Sequence, residues 1–132
     1  MTDATRTGWT SSTAVHVAFG FLLMGAWAVF ANRKHPLPDA LLAGLVQGTI
    51  SGSLTLVLKK FLEWINARLA GLAALALPPL VTASAILLIL VSAHTLAGTP
   101  EVAATIAVPF TVSTTYAILY NLGLWRDAHG RR

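Results

Sequence analysis

Four stretches free of Asp, Glu, Lys and Arg decide what this chain can fold into: residues 7–32, 40–58, 69–100 and 102–125, of 26, 19, 32 and 24 residues. A helix needs about 20 predominantly apolar residues to cross the hydrocarbon core of a bilayer. Lipid offers no water to backbone N–H and C=O groups, so a spanning segment must be a helix or part of a closed barrel. None of the runs alternates apolar and polar residues with the period of two that a barrel strand needs. The reading is an all-α integral membrane protein. Residues 1–132 form one membrane domain, a four-transmembrane-helix bundle with helices near 13–31, 37–58, 77–97 and 102–125.

Composition points the same way: the chain is 55% hydrophobic and 11% charged, where soluble domains carry about 25% charged residues. The absence of cysteine excludes disulfides, thiolate metal sites and cysteine nucleophiles. The N-terminal segment has the lone basic residue Arg6 and a long apolar stretch without a small-residue cleavage site, so no cleavable signal peptide is expected. A pI near 10.1 invites a nucleic-acid reading. The charge falls in the connections instead, where it sets topology, so no nucleic-acid partner is expected.

Proline and glycine punctuate the chain. Pro36 and Pro38 bracket the start of the second helix, where a missing N–H costs nothing, and Asp39 favours the positive end of its dipole. Pro78 and Pro79 are read as opening the third helix. In the turn Ala97-Gly-Thr-Pro-Glu101, Thr99 is a candidate N-cap for the fourth.

Orientation follows from Lys/Arg asymmetry. With four spans, Arg6, Lys59, Lys60, Arg68, Arg126, Arg131 and Arg132 share one side, seven in all, against Arg33 and Lys34 on the other. Both termini are therefore expected in the cytoplasm, with the protein in a bacterial inner (plasma) membrane. Trp9, Trp64 and Trp125 then mark the cytoplasmic interface and Trp27 the outer one. Between helices 2 and 3, Leu58, Phe61, Leu62, Ile65, Leu69 and Leu72 recur at helical spacing opposite Lys60, Glu63 and Asn66. That pattern fits an amphipathic interfacial helix or an extension of helix 2. Arg33, Lys34, Lys59 and Lys60 are candidate contacts for lipid headgroups.

The second span carries the most chemistry. Of its nineteen residues from Ala40 to Leu58, eight are Gly, Ser, Thr or Gln. Gly44, Gly48 and Gly52 form one row, two overlapping small-xxx-small units, beside a second row of Gln47, Ser51 and Thr55. Glycines let helices approach closely, which reads as packing; the polar row is either glue or the lining of a substrate path, with Gln47 central because an unpaired amide is costly in lipid. Helix 4 adds Pro109, Ser113, Tyr116 and Tyr120 on one line, of which Ser113 and Tyr116 extend the candidate path. On the outward side, His35, Asp39, His94 and Glu101 are weak catalytic candidates, being residue types that bind metals or move protons. Their spacing matches no metal motif, and neither a metal nor another cofactor is expected.

None of the five acidic residues falls in the middle of a span, where proton-coupled transporters usually keep a carboxylate or histidine relay. Three functions compete. The leading one is a homo-oligomeric transporter, channel or lipid-handling protein. The next is an accessory or assembly subunit docking on a larger membrane protein through the glycine seam. The last is a membrane-embedded enzyme acting on a lipid headgroup. The bilayer and further copies or a larger membrane partner are the expected associates.

Overall fold

The computed structural model describes residues 2–130, and side chains within 12–130. The orientation counts on Arg131 and Arg132 lie outside the described residues, and those on Arg6 and Trp9 outside the described side chains. Four helices account for the fold: α1 Thr2–Ala31, α2 Leu37–Asn66, α3 Gly71–Leu96 and α4 Val102–Gly130. Each contains a segment long and apolar enough to cross a membrane.

The helices run longer than the charge-free runs suggest. α2 starts with Pro36 at its N-cap and continues without a break to Asn66. The amphipathic stretch as far as Asn66 is thus its final turns, with Leu58 and Leu62 buried and Lys59 and Lys60 exposed, whereas Leu69 falls in the next connection and Leu72 in α3. Glu63 lies 4.0 Å from Lys59, one turn along. α3 begins at Gly71, so Pro78 and Pro79 sit inside it and do not open it. A proline removes one N–H and is tolerated within a membrane helix when a neighbour supplies donors to the freed carbonyl.

α2 is the central helix. It packs on α1, α3 and α4, whereas α1 and α3 make no contact among the described residues. Leu58 and Leu62 of α2, Ile86 and Leu90 of α3 and Ala117 of α4 form a core, flanked by Leu54, Ile106 and Phe110. α1 is held differently. Lipid gives no hydrophobic drive for one helix to leave it for another, so close backbone approach must supply dispersion contacts instead. Gly25 of α1 meets Gly44 and Gly48 of α2: a Cβ on Gly44 would lie 2.5 Å from Val29 Cγ2, and one on Gly48 would lie 2.9 Å from the Phe21 carbonyl oxygen. The glycine row of α2 is therefore covered by α1 of the same chain.

Candidate functional site

The site begins at the end of α3. Gly98 takes φ +72°, a conformation open to glycine without steric cost. The Gly98 N–H donates to the Thr95 carbonyl at 3.1 Å, and the Thr99 N–H to the His94 carbonyl at 2.9 Å. This is a Schellman termination, in which the residues flanking the turn normally make an apolar contact. Here they are His94 and Thr99, and their side chains meet through a hydrogen bond of 2.8 Å between Nδ1 and Oγ1. Thr99 is thus part of the stop of α3; the start of α4 is capped by another residue.

From His94 the network crosses to α2. His94 Nε2 lies 2.8 Å from Gln47 Oε1, and Gln47 Nε2 donates to Ser51 Oγ at 2.9 Å. An amide oxygen only accepts, so Nε2 of the imidazole carries hydrogen. In the neutral ring Nδ1 then accepts from the Thr99 hydroxyl. All four side chains are withdrawn from the surface, with His94 and Gln47 at 0% exposure and Ser51 and Thr99 at 8%. Gln47 is ten residues past Leu37, about 15 Å along α2 at 1.5 Å per residue. His94, in the last turn of α3, thus closes the polar row within the chain, and both the oxygen and the nitrogen of the Gln47 amide have a partner.

A second cluster clamps α1 to α4. Asn32, fully buried, donates through Nδ2 to the Ala28 carbonyl and to Thr105 Oγ1, each at 2.8 Å. Its Oδ1 accepts the Glu101 N–H at 2.9 Å, capping the start of α4. Trp27 Nε1 donates to the Ala104 carbonyl at 3.0 Å. At the surface beside it, His35 Nε2 lies 3.0 Å from Glu101 Oε1.

A third cluster lies at the opposite end. Asn121 is fully buried on α4; its Nδ2 donates to the carbonyls of Ala74 and Leu75 at 3.0 and 2.9 Å. Asn66 Nδ2 donates to the Ala74 carbonyl and to Asn121 Oδ1. Trp125 Nε1 donates to the Gly71 carbonyl at 2.9 Å, and the Tyr120 hydroxyl to Glu63. Among the described residues, the buried side-chain polar atoms left without a partner are the hydroxyls of Thr82 and Thr114.

The sequence-level candidates separate. His35 and Glu101 pair, Asp39 is exposed, and His94 turns inward to Gln47. Among the described residues no group of three or more His, Asp or Glu is placed to hold a metal. Gln47 and Ser51 are joined, whereas the Thr55 hydroxyl bonds the Ser51 carbonyl of its own helix. Ser113 is half-buried, and Tyr116, 40% exposed, stacks on Tyr120 with ring centroids 5.5 Å apart. No hydrogen bond among the described residues links Tyr116 or Ser113 to Gln47. Arg33 lies over the Phe30 ring and Arg68 over the Trp64 ring, each 3.9 Å from the centroid, while Lys34 and Lys60 are exposed.

Sequence reasoning missed Asn32, Asn66, Asn121 and Thr105. One signal was available: the Pro78-Pro79 pair inside a charge-free run frees two carbonyls, and buried amides are natural donors to them. No protein-family model, curated protein or solved structure matches this chain, so a functional reading rests on the geometry alone.

Proposed function

We propose that this chain is a small polytopic transporter, channel or lipid-handling protein that works as a homo-oligomer, with the Gln47–His94 contact as its functional site. One observation supports the reading above the others: a histidine with no exposure is held inside a membrane bundle by a glutamine from another helix. Ionisable groups within spanning segments are rare, face the bundle interior and mark ion or substrate pathways. Four helices leave little room for a path through one copy, which is why the active form is placed in an oligomer. A seat in a bacterial inner membrane with both termini cytoplasmic belongs to the same proposal.

The test is reconstitution. Proteoliposomes are read for ion flux under an imposed potential and for transbilayer movement of a fluorescent phosphatidylcholine. Wild type should exceed protein-free vesicles in one assay, and Gln47→Leu should abolish the signal with the oligomer intact. Vesicles indistinguishable from protein-free controls in both assays overturn it.

The accessory-subunit reading keeps one observation of its own. Beside the seam, Thr13, Ala14, Val17, Phe21, Leu22 and Leu56 line an open apolar groove of about 630 Å³. With the glycine row occupied by α1, a docking partner would use this groove. A larger membrane protein that co-purifies with wild type and is lost on Ala14→Trp would favour it.

A further inference from the structure

We propose that His94 is a reversible proton-binding site, so that the ion coupled to this protein's activity is H⁺, taken up at Nδ1. The inference rests on the transport reading above and deepens it.

The argument starts from which atoms flank the ring. Gln47 Oε1 has no hydrogen to give, so it requires Nε2–H in the neutral and the charged imidazole alike. Proton exchange is thereby confined to Nδ1. Its partner, the Thr99 hydroxyl 2.8 Å away, is both donor and acceptor. Toward neutral His94 it donates; toward the imidazolium it rotates and accepts. Neither state leaves a ring nitrogen without a partner, and no heavy atom has to move. An imidazole set between two obligate donors could not hold the charge, and one bound to a carboxylate would be biased towards it.

The surroundings keep the charge from being permanent. From α2 the ring meets Gln47, with Ser51 next in line, and neither is ionisable. Asp39, earlier on α2, is exposed. From the α3–α4 turn the nearest ionisable group along the chain is Glu101, two residues beyond Thr99; its carboxylate is engaged by His35 and its N–H by Asn32. From the α1–α2 connection, Arg33 is directed over Phe30 and Lys34 is exposed. Among the described residues no counter-ion is bonded to His94, so the charged form keeps both hydrogen bonds without a fixed ion pair. Nδ1 faces the α3–α4 turn, whose Pro100 and Glu101 are exposed. In the binding step the Nδ1 lone pair forms an N–H bond with a proton from hydronium at that end of the bundle, one O–H bond of the hydronium breaks, and water is left.

The experiment uses the full chain with ¹⁵N-labelled histidine in phospholipid nanodiscs, with the His94 signals assigned by their loss in His94→Gln. Across about pH 5 to 8, the range of histidine switches, Nδ1 should convert reversibly from unprotonated to protonated while Nε2 stays protonated. Thr99→Val, which removes the hydroxyl that serves both states, should move the midpoint or abolish the conversion with the helices intact. An Nδ1 that stays unprotonated, or stays protonated, across that range overturns the proposal. Flux separates the two readings. Transport that persists in wild type with no pH dependence sinks proton coupling alone, whereas absent transport with a titrating His94 sinks the transport reading and leaves the proton site standing.

Discussion

Asn121 of α4 donates to the Leu75 carbonyl of α3 at 2.9 Å, the hydrogen bond that Pro79, four residues on, has no N–H to make. Its second bond, to Ala74, replaces the one Pro78 lacks. A neighbouring amide thus completes a helix ladder that proline interrupts twice.

Removing that amide leaves the Leu75 carbonyl without its donor, at about 1–3 kcal/mol, while the Ala74 carbonyl keeps the Asn66 amide. Asn121→Leu should lower the unfolding midpoint in detergent or nanodiscs clearly. In a Pro78→Ala, Pro79→Ala background the same change should cost less, because the helix then satisfies its own carbonyls. Equal costs in the two backgrounds, measured as a double-mutant cycle, would count against the repair.

The α1–α2 seam predicts a graded series. A Cβ on Gly48 would stand 2.9 Å from the Phe21 backbone, but one on Gly52 would find its nearest atom, Val17 Cγ1, at 3.5 Å. Gly48→Ala should destabilise, while Gly52→Ala should be neutral or stabilising by up to about 1 kcal/mol through helix propensity. Chemical denaturation in mixed micelles reads both, and equal effects would mean that α1 and α2 lie further apart.

The turn after α3 depends on Gly98 at φ +72°. Gly98→Ala should cost about 1 kcal/mol or more, Gly98→Asn less, since asparagine tolerates this conformation better. Faster amide exchange at Thr99 is the expected signature. Unchanged exchange in Gly98→Ala would show that the turn does not need the glycine.

Gln47 and His94 should behave as a unit. Gln47→Leu leaves His94 Nε2–H without its acceptor, at about 1–3 kcal/mol. Gln47→Leu with His94→Leu should lose less stability than the two single changes summed. Strict additivity of the unfolding free energies would argue that the contact does not form.

The chain lacks cysteine, so single cysteines can report topology. With both termini cytoplasmic, Lys34→Cys should react with a membrane-impermeant maleimide from outside intact cells. Lys60→Cys should react only after permeabilisation. The reverse pattern would invert the proposed orientation.

The spans were legible because missing charge over some twenty residues leaves a chain few choices in lipid. Glycines at 44, 48 and 52 announced a close contact, though periodicity could not say that its partner would be Gly25 of the same chain. The site was half legible. Gln47 could be singled out from the cost of a buried amide, but its partner His94 lies 47 residues away, and the Gly98-Thr-Pro100 stop signal does not say that it aims His94 at α2. Pro78 and Pro79 misled for a related reason. Proline marks a helix start in water, whereas inside a bundle Asn121 and Asn66 let the helix run through it.

The order of synthesis gives the separate anchoring of α1 a further meaning. A ribosome delivers α1 and α2 first, and their glycine contact needs nothing downstream. That hairpin already carries Asn32 and Gln47, whose partners Glu101, Thr105 and His94 have yet to be made. The contacts of Asn32 and Gln47 with Glu101, Thr105 and His94 thus fix the vertical register between the first hairpin and the second.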